Sequence, residues 1–226
     1  MCRYYQLIHS RVNNMNNSYK TLAVPALGEF KDRGSKFLGY AFPVADETAA
    51  LACVEALRKE HFKANHHCFA WRLGPDGARF RASDDGEPGG TAGRPILARI
   101  DAAGLTEVVV VVVRYFGGTL LGTSGLIQAY RETAADTLKN ATIIEVVLKT
   151  QCVFDLDYAI VPDVMNAVKK LQIELLEQEF GEVARFTLAI RNNEVAESLL
   201  ALKAALWKTT PQEAATLDWP RGVEIV

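Results

Sequence analysis

Six consecutive valines, Val108 to Val113, constrain this chain more than any other part of its 226 residues. The run is β-branched throughout and no polar residue alternates with it, so it predicts a central strand buried on both faces. It is also the longest apolar run, and it is far shorter than the roughly 20 residues that a membrane helix requires. We therefore expect an α/β domain and no membrane contact.

The element pattern changes near Asn140, which indicates two domains. Strand and helix patterns alternate before this residue, and the order after it is βαββαβ, the split-βαβ or ferredoxin-like arrangement. The predicted fold class is α/β plus α+β. We expect an irregular tail at residues 1–19, an α/β domain at 20–143 and a ferredoxin-like domain at 144–226, with a final strand near Gln212 to Asp218.

Charge and cysteine content narrow the class of protein. The net charge of −2 divides into +3 for residues 1–143 and −5 for residues 144–226, so neither half is a strongly basic nucleic-acid binder. The four cysteines have no close spacing, and the polar start lacks the apolar core of a signal peptide. These features predict a reduced, cytoplasmic protein.

The stretch SDDGEPGGTAGRPI, from Ser83 to Ile96, forms a first glycine loop that leads into a helix. Its glycines free the backbone, so N–H groups near the helix start could bind an anion. Its carboxylates could hold Mg²⁺ against a phosphate or accept hydrogen bonds from a ligand. The structural alternative is that they cap the loop's own N–H groups. The candidate ligand-binding residues here are Asp84, Asp85, Glu87, Gly90, Thr91, Gly93 and Arg94.

A second glycine loop, RYFGGTLLGTSGL, follows the valine strand. A strand, a glycine turn and a helix in this order place ligands at the carboxyl edge of an α/β sheet, with Thr123 or Ser124 as the candidate helix cap. Arg114 could bind phosphate or pair with a loop carboxylate, and Tyr115 could stack on a ring or complete the core. The candidate ligand-binding residues here are Arg114, Tyr115, Gly117, Gly118, Thr123 and Ser124.

His66, His67 and Cys68 raise the hypotheses of a zinc site and of a cysteine nucleophile. In a strand, His66 and Cys68 face one way and His67 faces the other, so at most two of them act together. No second Cys or His pair lies at a useful spacing. We therefore predict no metal site, no catalytic residue and no definite cofactor, with Mg²⁺ as the one ion that the loop carboxylates could hold and with His66 and His67 as further ligand-binding candidates.

Three segments, SDDGEPGGTAGRPIL, VVVVRYFGGTLLGTSGLIQAY and NHHCFAW, resemble the IMPACT family, and the two-domain layout resembles its bacterial YigZ-like branch. The resemblance implies a first domain like the second domain of a small-subunit ribosomal protein and a second domain similar to the last domains of elongation factor G. It also implies regulation of translation, because eukaryotic members associate with the Gcn1 protein and with ribosomes. We expect this chain to differ from them by lacking the extra N-terminal RWD domain.

Three functions are compatible with these residues. The first is a non-catalytic translation module that binds RNA, the ribosome or a protein partner through the glycine loops. The second is a metal-dependent enzyme of phosphoester or nucleotide chemistry, with Asp84, Asp85 and Glu87 as metal ligands or general base and Arg114 stabilising charge. In the third, the loops only close the end of the sheet, and a surface patch recruits a protein.

Overall fold

The computed structural model describes residues 17–226, which divide into two compact units. The first unit comprises 18–146, and the second comprises 147–226 together with Asn17. Each unit has a hydrophobic core of its own. The predicted tail at 1–16 lies outside the described residues, whereas Ser18 and Tyr19 already belong to a strand. Among the helices of the described range, none is long and apolar enough to cross a membrane.

The first unit contains seven of the described strands and three helices. These are β1 (Ser18–Leu22), β2 (Ala26–Asp32), β3 (Ser35–Pro43), α1 (Glu47–Glu60), β4 (His66–Leu73), β5 (Arg79–Ser83), α2 (Gly93–Ala102), β6 (Val108–Tyr115), α3 (Gly122–Lys139) and β7 (Ile143–Val147). Five of the strands form one sheet in the order β2-β3-β6-β4-β5, and β1 pairs with β7 in a separate two-stranded sheet. The strands β1, β2 and β7 were not predicted from the sequence.

The valine strand β6 lies at the centre of the five-stranded sheet and is buried on both faces, as predicted. Val108, Val110 and Val112 pack in the core that contains residues of α2 and α3. The alternate valines pack in a second core against α1. Since burying a valine side chain contributes about 1.5 kcal/mol or more, this strand fixes the layer order of the unit.

All neighbouring strands of this sheet are antiparallel, which changes the geometry expected for the second glycine loop. The turn between β2 and β3 has only Arg33 and Gly34, and a two-residue connection can join only antiparallel strands. The end of β6 therefore lies beside the starts of β3 and β4, with Arg114 opposite His66. The second glycine loop therefore does not lie at the carboxyl edge of a parallel sheet, as was expected. It lies at an edge where the ends and the starts of neighbouring strands alternate.

The helices of this unit begin and end for local reasons. Asp46 caps α1 by accepting a hydrogen bond from the backbone N–H of Ala49 at 2.8 Å. Gly104, with a φ of 63°, follows the end of α2 as predicted. The predicted cap of α3 is wrong: the helix already begins at Gly122, whose φ of 72° turns the chain early, so Thr123 and Ser124 lie within its first turn.

The second unit has the predicted βαββαβ order. Its elements are β8 (Lys149–Leu156), α4 (Val161–Lys170), β9 (Glu174–Phe180), β10 (Ala184–Arg191), a 3-10 turn (Asn192–Glu194), α5 (Val195–Trp207), α6 (Pro211–Ala214) and β11 (Val223–Ile225). The sheet order is β11-β8-β10-β9, with antiparallel pairs. The core includes Phe154 and Leu156 of β8, Phe186 and Leu188 of β10, and Leu202 of α5.

The predicted strand near Gln212 to Asp218 is wrong. Thr210 and Glu213 form a capping box, and Pro211 occupies the first helical turn, so the chain forms the short helix α6 there. The final strand is β11, which begins at Val223. A proline with a capping box is a helix-start signal that outweighed the weak strand pattern.

Candidate functional site

Arg114, at the end of β6, forms a buried ion pair with Glu87 of the first glycine loop. Its Nη1 donates to Glu87 Oε1 at 2.6 Å, and the two side chains are only 6% and 3% exposed. The Tyr130 hydroxyl of α3 donates to the same oxygen at 2.7 Å. The rings of Phe37 and Phe116 lie 5.3 and 5.5 Å from the guanidinium carbon. Of the two roles expected for Arg114, the structure shows pairing with a loop carboxylate.

Asp84 satisfies the backbone of its own loop. Its carboxylate accepts hydrogen bonds from the N–H groups of Gly90, Ala92 and Gly93 at 2.7, 3.0 and 2.8 Å. Burial opposes ionisation, but these three donors and the nearby Arg94 outweigh it and hold the pKa of Asp84 below its ordinary value. The N–H groups that were expected to face an anion are therefore already bonded, and Asp84 acts as a cap.

Thr91 and Arg94 complete the passage from the first loop into α2. Thr91 is buried, and both its backbone N–H and its hydroxyl donate to the carbonyl of Pro88, at 3.1 and 2.7 Å. Arg94 is exposed, and its stem lies 3.7 Å from the position of a Cβ at Gly90. Arg94 is thus the one cation of this loop that faces solvent, whereas the Thr91 hydroxyl is directed inward.

Asp85 joins the first loop to α1 and β4. One carboxylate oxygen accepts from Arg58 Nη2 at 2.5 Å, and the other accepts from the backbone N–H of His67 at 2.6 Å. The Asp85 carbonyl lies 2.8 Å from Nδ1 of His66. The residue has a φ of 43°, a left-handed conformation that these bonds hold in place.

The histidine and cysteine candidates do not converge on a site. Cys68 is fully buried and donates to the Asp84 carbonyl at 3.0 Å and the Tyr130 hydroxyl at 3.3 Å. Burial, followed by nearby carboxylates, raises the pKa of Cys68, which disfavours a thiolate nucleophile. Burial and the Arg58 guanidinium lower the pKa of His67. Within 17–226, no group of three or more His, Cys, Asp and Glu side chains is arranged to hold a metal ion.

The loop carboxylates do not support the metal-dependent enzyme. Asp84 is occupied by backbone N–H groups, Asp85 by Arg58 and a backbone N–H, and Glu87 by Arg114 and a tyrosine hydroxyl. Each carboxylate thus has its own partners, and the three do not present oxygens to one common ion. His66 Nε2 lies 3.9 Å from Glu87 Oε1 and His67 Nδ1 lies 4.0 Å from Asp85 Oδ2, which is beyond hydrogen-bond distance, so these carboxylates form no hydrogen-bonded base with a described histidine.

Ser35, which starts β3, connects the two glycine loops. Its hydroxyl oxygen lies 3.4 Å from Nη2 of Arg114 and accepts from the N–H of Gly117 at 3.2 Å. Gly117 approaches the backbone of Gly34 so closely that an added Cβ would lie 1.9 Å from the carbonyl carbon. The loops therefore converge at the end of β6, through Glu87 on one side and Gly117 on the other.

The second loop is exposed along most of its length. Phe116 and Leu120 are 44% and 83% exposed, and Gly118, with a φ of 84°, lies between them. Leu121 precedes α3 and has no polar side chain to cap it. Among the described residues, none accepts a hydrogen bond from the N–H groups of Gly122–Ser124. Backbone N–H groups without a hydrogen-bond acceptor, which were expected in the first glycine loop, are thus found in the second.

Tyr115 belongs to a ring cluster on the other face of the sheet that the sequence did not predict. His61 lies between two tyrosine hydroxyls, with Nε2 2.6 Å from that of Tyr40 and Nδ1 2.9 Å from that of Tyr115. Burial, followed by Glu60 and Tyr115, raises the pKa of Tyr40. His61 follows α1 in a segment without a motif, so only its imidazole side chain and its position at a helix end could have drawn attention to it.

Fold and site together define a class: a protein of two mixed helix-and-sheet units, whose first unit carries two glycine loops joined at a buried ion pair. Residues 33–138 match the family model of the Impact N-terminal domain. An IMPACT family member of Thermus thermophilus is 41% identical over 156 residues, covering 69% of this chain and 84% of that protein. IMPACT family member YigZ of Escherichia coli is 36% identical over 151 residues, covering 66% and 74%.

A solved structure, the crystal structure of a hypothetical protein, is similar in both sequence and fold. It has a TM-score of 0.66 and 30% identity, and the match covers 94% of this chain and 98% of that one. This chain belongs to the IMPACT family, and its relatives support the YigZ-like branch predicted from the glycine loops.

Proposed function

We propose that this chain is a non-catalytic regulatory binding protein of the translation apparatus, located in the cytoplasm. Membership of the IMPACT family supports the translational role that the resemblance implies. We further infer that the first unit resembles the second domain of a small-subunit ribosomal protein, and the second unit the last domains of elongation factor G. Binding to RNA or to the ribosome follows from these likenesses by analogy.

The observation that carries the proposal is the exposed second glycine loop on a rigid support. Gly117 is fixed against the β2–β3 turn, and the N–H of Phe116 donates to the side-chain oxygen of Asn65 at 3.0 Å. Beyond these contacts the loop presents an exposed ring, an exposed leucine and the unpaired amides of Gly122–Ser124. A binding loop held at its base loses little conformational freedom when it binds.

The chemistry of this loop fits an RNA backbone. Unpaired N–H groups at the start of the long helix α3 favour a phosphate, and the half-exposed Phe116 ring offers a face for a base. Exposed cations lie beside it, because Arg33 adjoins Gly34 in the turn that contacts Gly117, and Lys36 lies opposite Tyr115 in the sheet. Thr123 and Ser124 would supply hydroxyl donors, and Arg94 a further positive charge.

A protein partner is the second candidate, and Leu120 is the observation that favours it. A leucine side chain that is 83% exposed at a loop tip gains free energy by entering an apolar pocket of a partner, whereas a phosphate backbone offers no such pocket. In both cases the first loop serves as the support. Asp84, Asp85 and Glu87 hold the backbone and Arg114 in place and do not contact the ligand.

Cosedimentation with ribosomes and fluorescence anisotropy with labelled RNA test the proposal. Phe116→Ala and Lys36→Glu should weaken RNA binding, and Lys36→Glu should lower the salt dependence by about one phosphate contact. Arg114→Ala is unsuitable because it leaves Glu87 buried without its charge partner. Leu120→Ser should leave RNA binding intact and should weaken ribosome binding only if the partner is a protein.

Leu27→Ser is a matched control, since Leu27 is 61% exposed on the edge strand β2 and lies opposite Tyr40, at the end of β2 away from the turn that contacts Gly117. It should behave like the unaltered chain in every assay. Absence of binding to ribosomes, RNA and ribosomal proteins at low salt would overturn the proposal. If Leu27→Ser and Leu120→Ser change ribosome binding equally, the second glycine loop is not the binding surface.

A further inference from the structure

His66 lies at the start of β4, beside the buried ion pair. It is directly opposite Arg114 of β6, and directly opposite residues of neighbouring strands point to the same face of a sheet. Cys68, two residues further along β4, shows the same orientation because it contacts Tyr130 in the core of that face. The His66 side chain is 24% exposed, whereas His67 points the other way and is buried. His66 therefore reaches solvent on the face of the ion pair.

The two ring nitrogens of His66 have different roles. Nδ1 lies 2.8 Å from the backbone carbonyl oxygen of Asp85, and because a carbonyl oxygen only accepts, Nδ1 carries the proton. In the neutral imidazole the other nitrogen, Nε2, is then an acceptor. Among the described residues, no group forms a hydrogen bond with Nε2, and the Glu87 carboxylate at 3.9 Å is itself an acceptor. The ring thus presents an acceptor that lacks a donor.

The ion pair connects His66 to the second glycine loop. Glu87 Oε1, which lies 3.9 Å from Nε2 of His66, also lies 2.6 Å from Nη1 of Arg114. The Phe116 ring lies 5.5 Å from the guanidinium carbon on the same arginine. Arg114 and Glu87 are nearly buried, whereas Phe116 is 44% exposed. The ion pair therefore lies between two partly exposed rings, that of Phe116 and that of His66.

We propose that His66 makes this site specific for RNA: its Nε2 accepts a hydrogen bond from the ribose 2′-hydroxyl of the nucleotide whose base lies on Phe116. The 2′-hydroxyl is a donor that every ribonucleotide carries and that deoxyribonucleotides lack. The loop amides contact phosphate and the Phe116 ring contacts the face of a base, so neither contact distinguishes RNA from DNA. The one acceptor that does so is His66 Nε2, which makes this histidine a specificity-determining residue.

The edge of a base is a less suitable donor for Nε2. The pattern of donors and acceptors differs from one base to the next, so an acceptor directed at a base edge selects among bases. The other contacts of the second loop, with phosphate and with the face of a ring, are the same for every base. A contact with the ribose is consistent with them, because it too is available in every nucleotide of RNA.

This inference rests on the proposed function, since a ribose reaches His66 only if nucleic acid binds at the second loop. The two fail in different ways. If neither RNA nor DNA binds at low salt, the proposed RNA binding is wrong and this inference is wrong with it. If RNA and DNA bind equally, the loop still binds nucleic acid, and only the role of His66 is lost.

Fluorescence anisotropy compares three labelled oligonucleotides of about ten nucleotides: oligouridine, oligodeoxyuridine and 2′-fluoro oligouridine. The 2′-fluoro form lacks the hydroxyl donor but keeps the sugar conformation of RNA. The unaltered chain should bind oligouridine about threefold to tenfold more tightly than the other two, which is the effect of one hydrogen bond. This comparison requires no variant, so it remains valid whatever a substitution does to the fold.

His66→Asn removes the acceptor at Nε2 and keeps an amide that can donate to the Asp85 carbonyl. It should weaken oligouridine binding to the level of the deoxy form and leave oligodeoxyuridine binding unchanged. His66→Gln, whose longer side chain carries a carbonyl acceptor, should retain part of the preference for RNA. Phe116→Ala is the matched control: stacking does not involve the sugar, so this variant should weaken RNA and DNA binding by the same factor.

Thermal unfolding of each variant identifies any loss of the fold. Equal binding of oligouridine and its 2′-fluoro form by the unaltered chain would overturn the proposal, because the hydroxyl would then not be recognised. So would a preference for RNA that persists in folded His66→Asn, or an equal loss of RNA and DNA binding in that variant. A preference for one base, with equal binding of its RNA and DNA homopolymers, would assign Nε2 to a base edge and would also overturn it.

Discussion

The buried pair of Glu87 and Arg114 leads to a sharp prediction about stability. Glu87→Gln keeps the shape of the side chain and an oxygen for Tyr130, but it removes the negative charge. Arg114 then remains nearly buried, with its Nε already unpartnered among the described residues. Removing one member of a buried ion pair typically lowers the free energy of unfolding by about 3–5 kcal/mol. Because the amide of this variant retains hydrogen bonds, we expect a loss of about 3 kcal/mol.

The test is a double-mutant cycle of Glu87→Gln, Arg114→Gln and the double variant. The double variant should be more stable than the sum of the single effects predicts, by about 2 kcal/mol or more, because two neutral amides leave no buried charge. The free energy of unfolding is measured by hydrogen exchange of peptides from β6, with peptides from β10 reporting the second unit as an internal reference.

A small result would refute this reasoning. If Glu87→Gln changes the exchange free energy of β6 by less than about 0.5 kcal/mol, the charge of Glu87 does not stabilise the fold. The carboxylate would then be available for a ligand, and the view of the first loop as a support would be wrong. A loss of similar size in the β10 peptides would instead indicate that the whole chain is perturbed.

Two further predictions concern the loops. Asp84→Asn should lower the free energy of unfolding by about 1–2 kcal/mol at neutral pH. The pKa of Asp84 in the folded chain lies below its ordinary value of 3.8, so the stability difference between the variant and the unaltered chain should be complete above pH 3.8. This difference should fade as the pH falls through the folded pKa. Urea unfolding at several pH values measures this, and a difference that grows with acidity would contradict it. Gly117→Ala should destabilise by about 1–3 kcal/mol or displace the second loop, since its Cβ meets the Gly34 backbone, whereas Gly89→Ala should be tolerated because nothing lies within 4 Å of its Cβ. Thermal unfolding of the two variants compares them, and equal effects would show that the Gly34 contact yields at little cost.

Periodicity and composition predicted most of the fold because they report burial directly. The uninterrupted valines could only be central, and the amphipathic helices had one apolar side each. The edge strand β2 was missed because it reads ALGEFKD, and its Gly28 is required by the close approach of Thr137 rather than by strand propensity. That constraint comes from a residue 109 positions away, so no local pattern contains it.

The site was predicted in composition but not in detail. The sequence identified the glycine loops and Arg114 as candidates. The convergence of the two loops depends on the pairing of the strands, which the sequence alone does not determine. Which carboxylate takes which partner depends on register: Glu87 reaches Arg114 because β6 ends beside the start of β4, whereas Asp84 is three residues earlier and meets only backbone. Spacing along a loop does not reveal such a division of partners.

The ion pair of Glu87 with Arg114 also affects how genetic data on this family are interpreted. Substitutions at either position should reduce the amount of protein in the cell, because marginally stable chains are removed by proteolysis, and they will score as loss of function in any screen. Phenotypes at Phe116, Leu120 or Lys36, obtained at normal protein levels, are the ones that report on what the protein contacts.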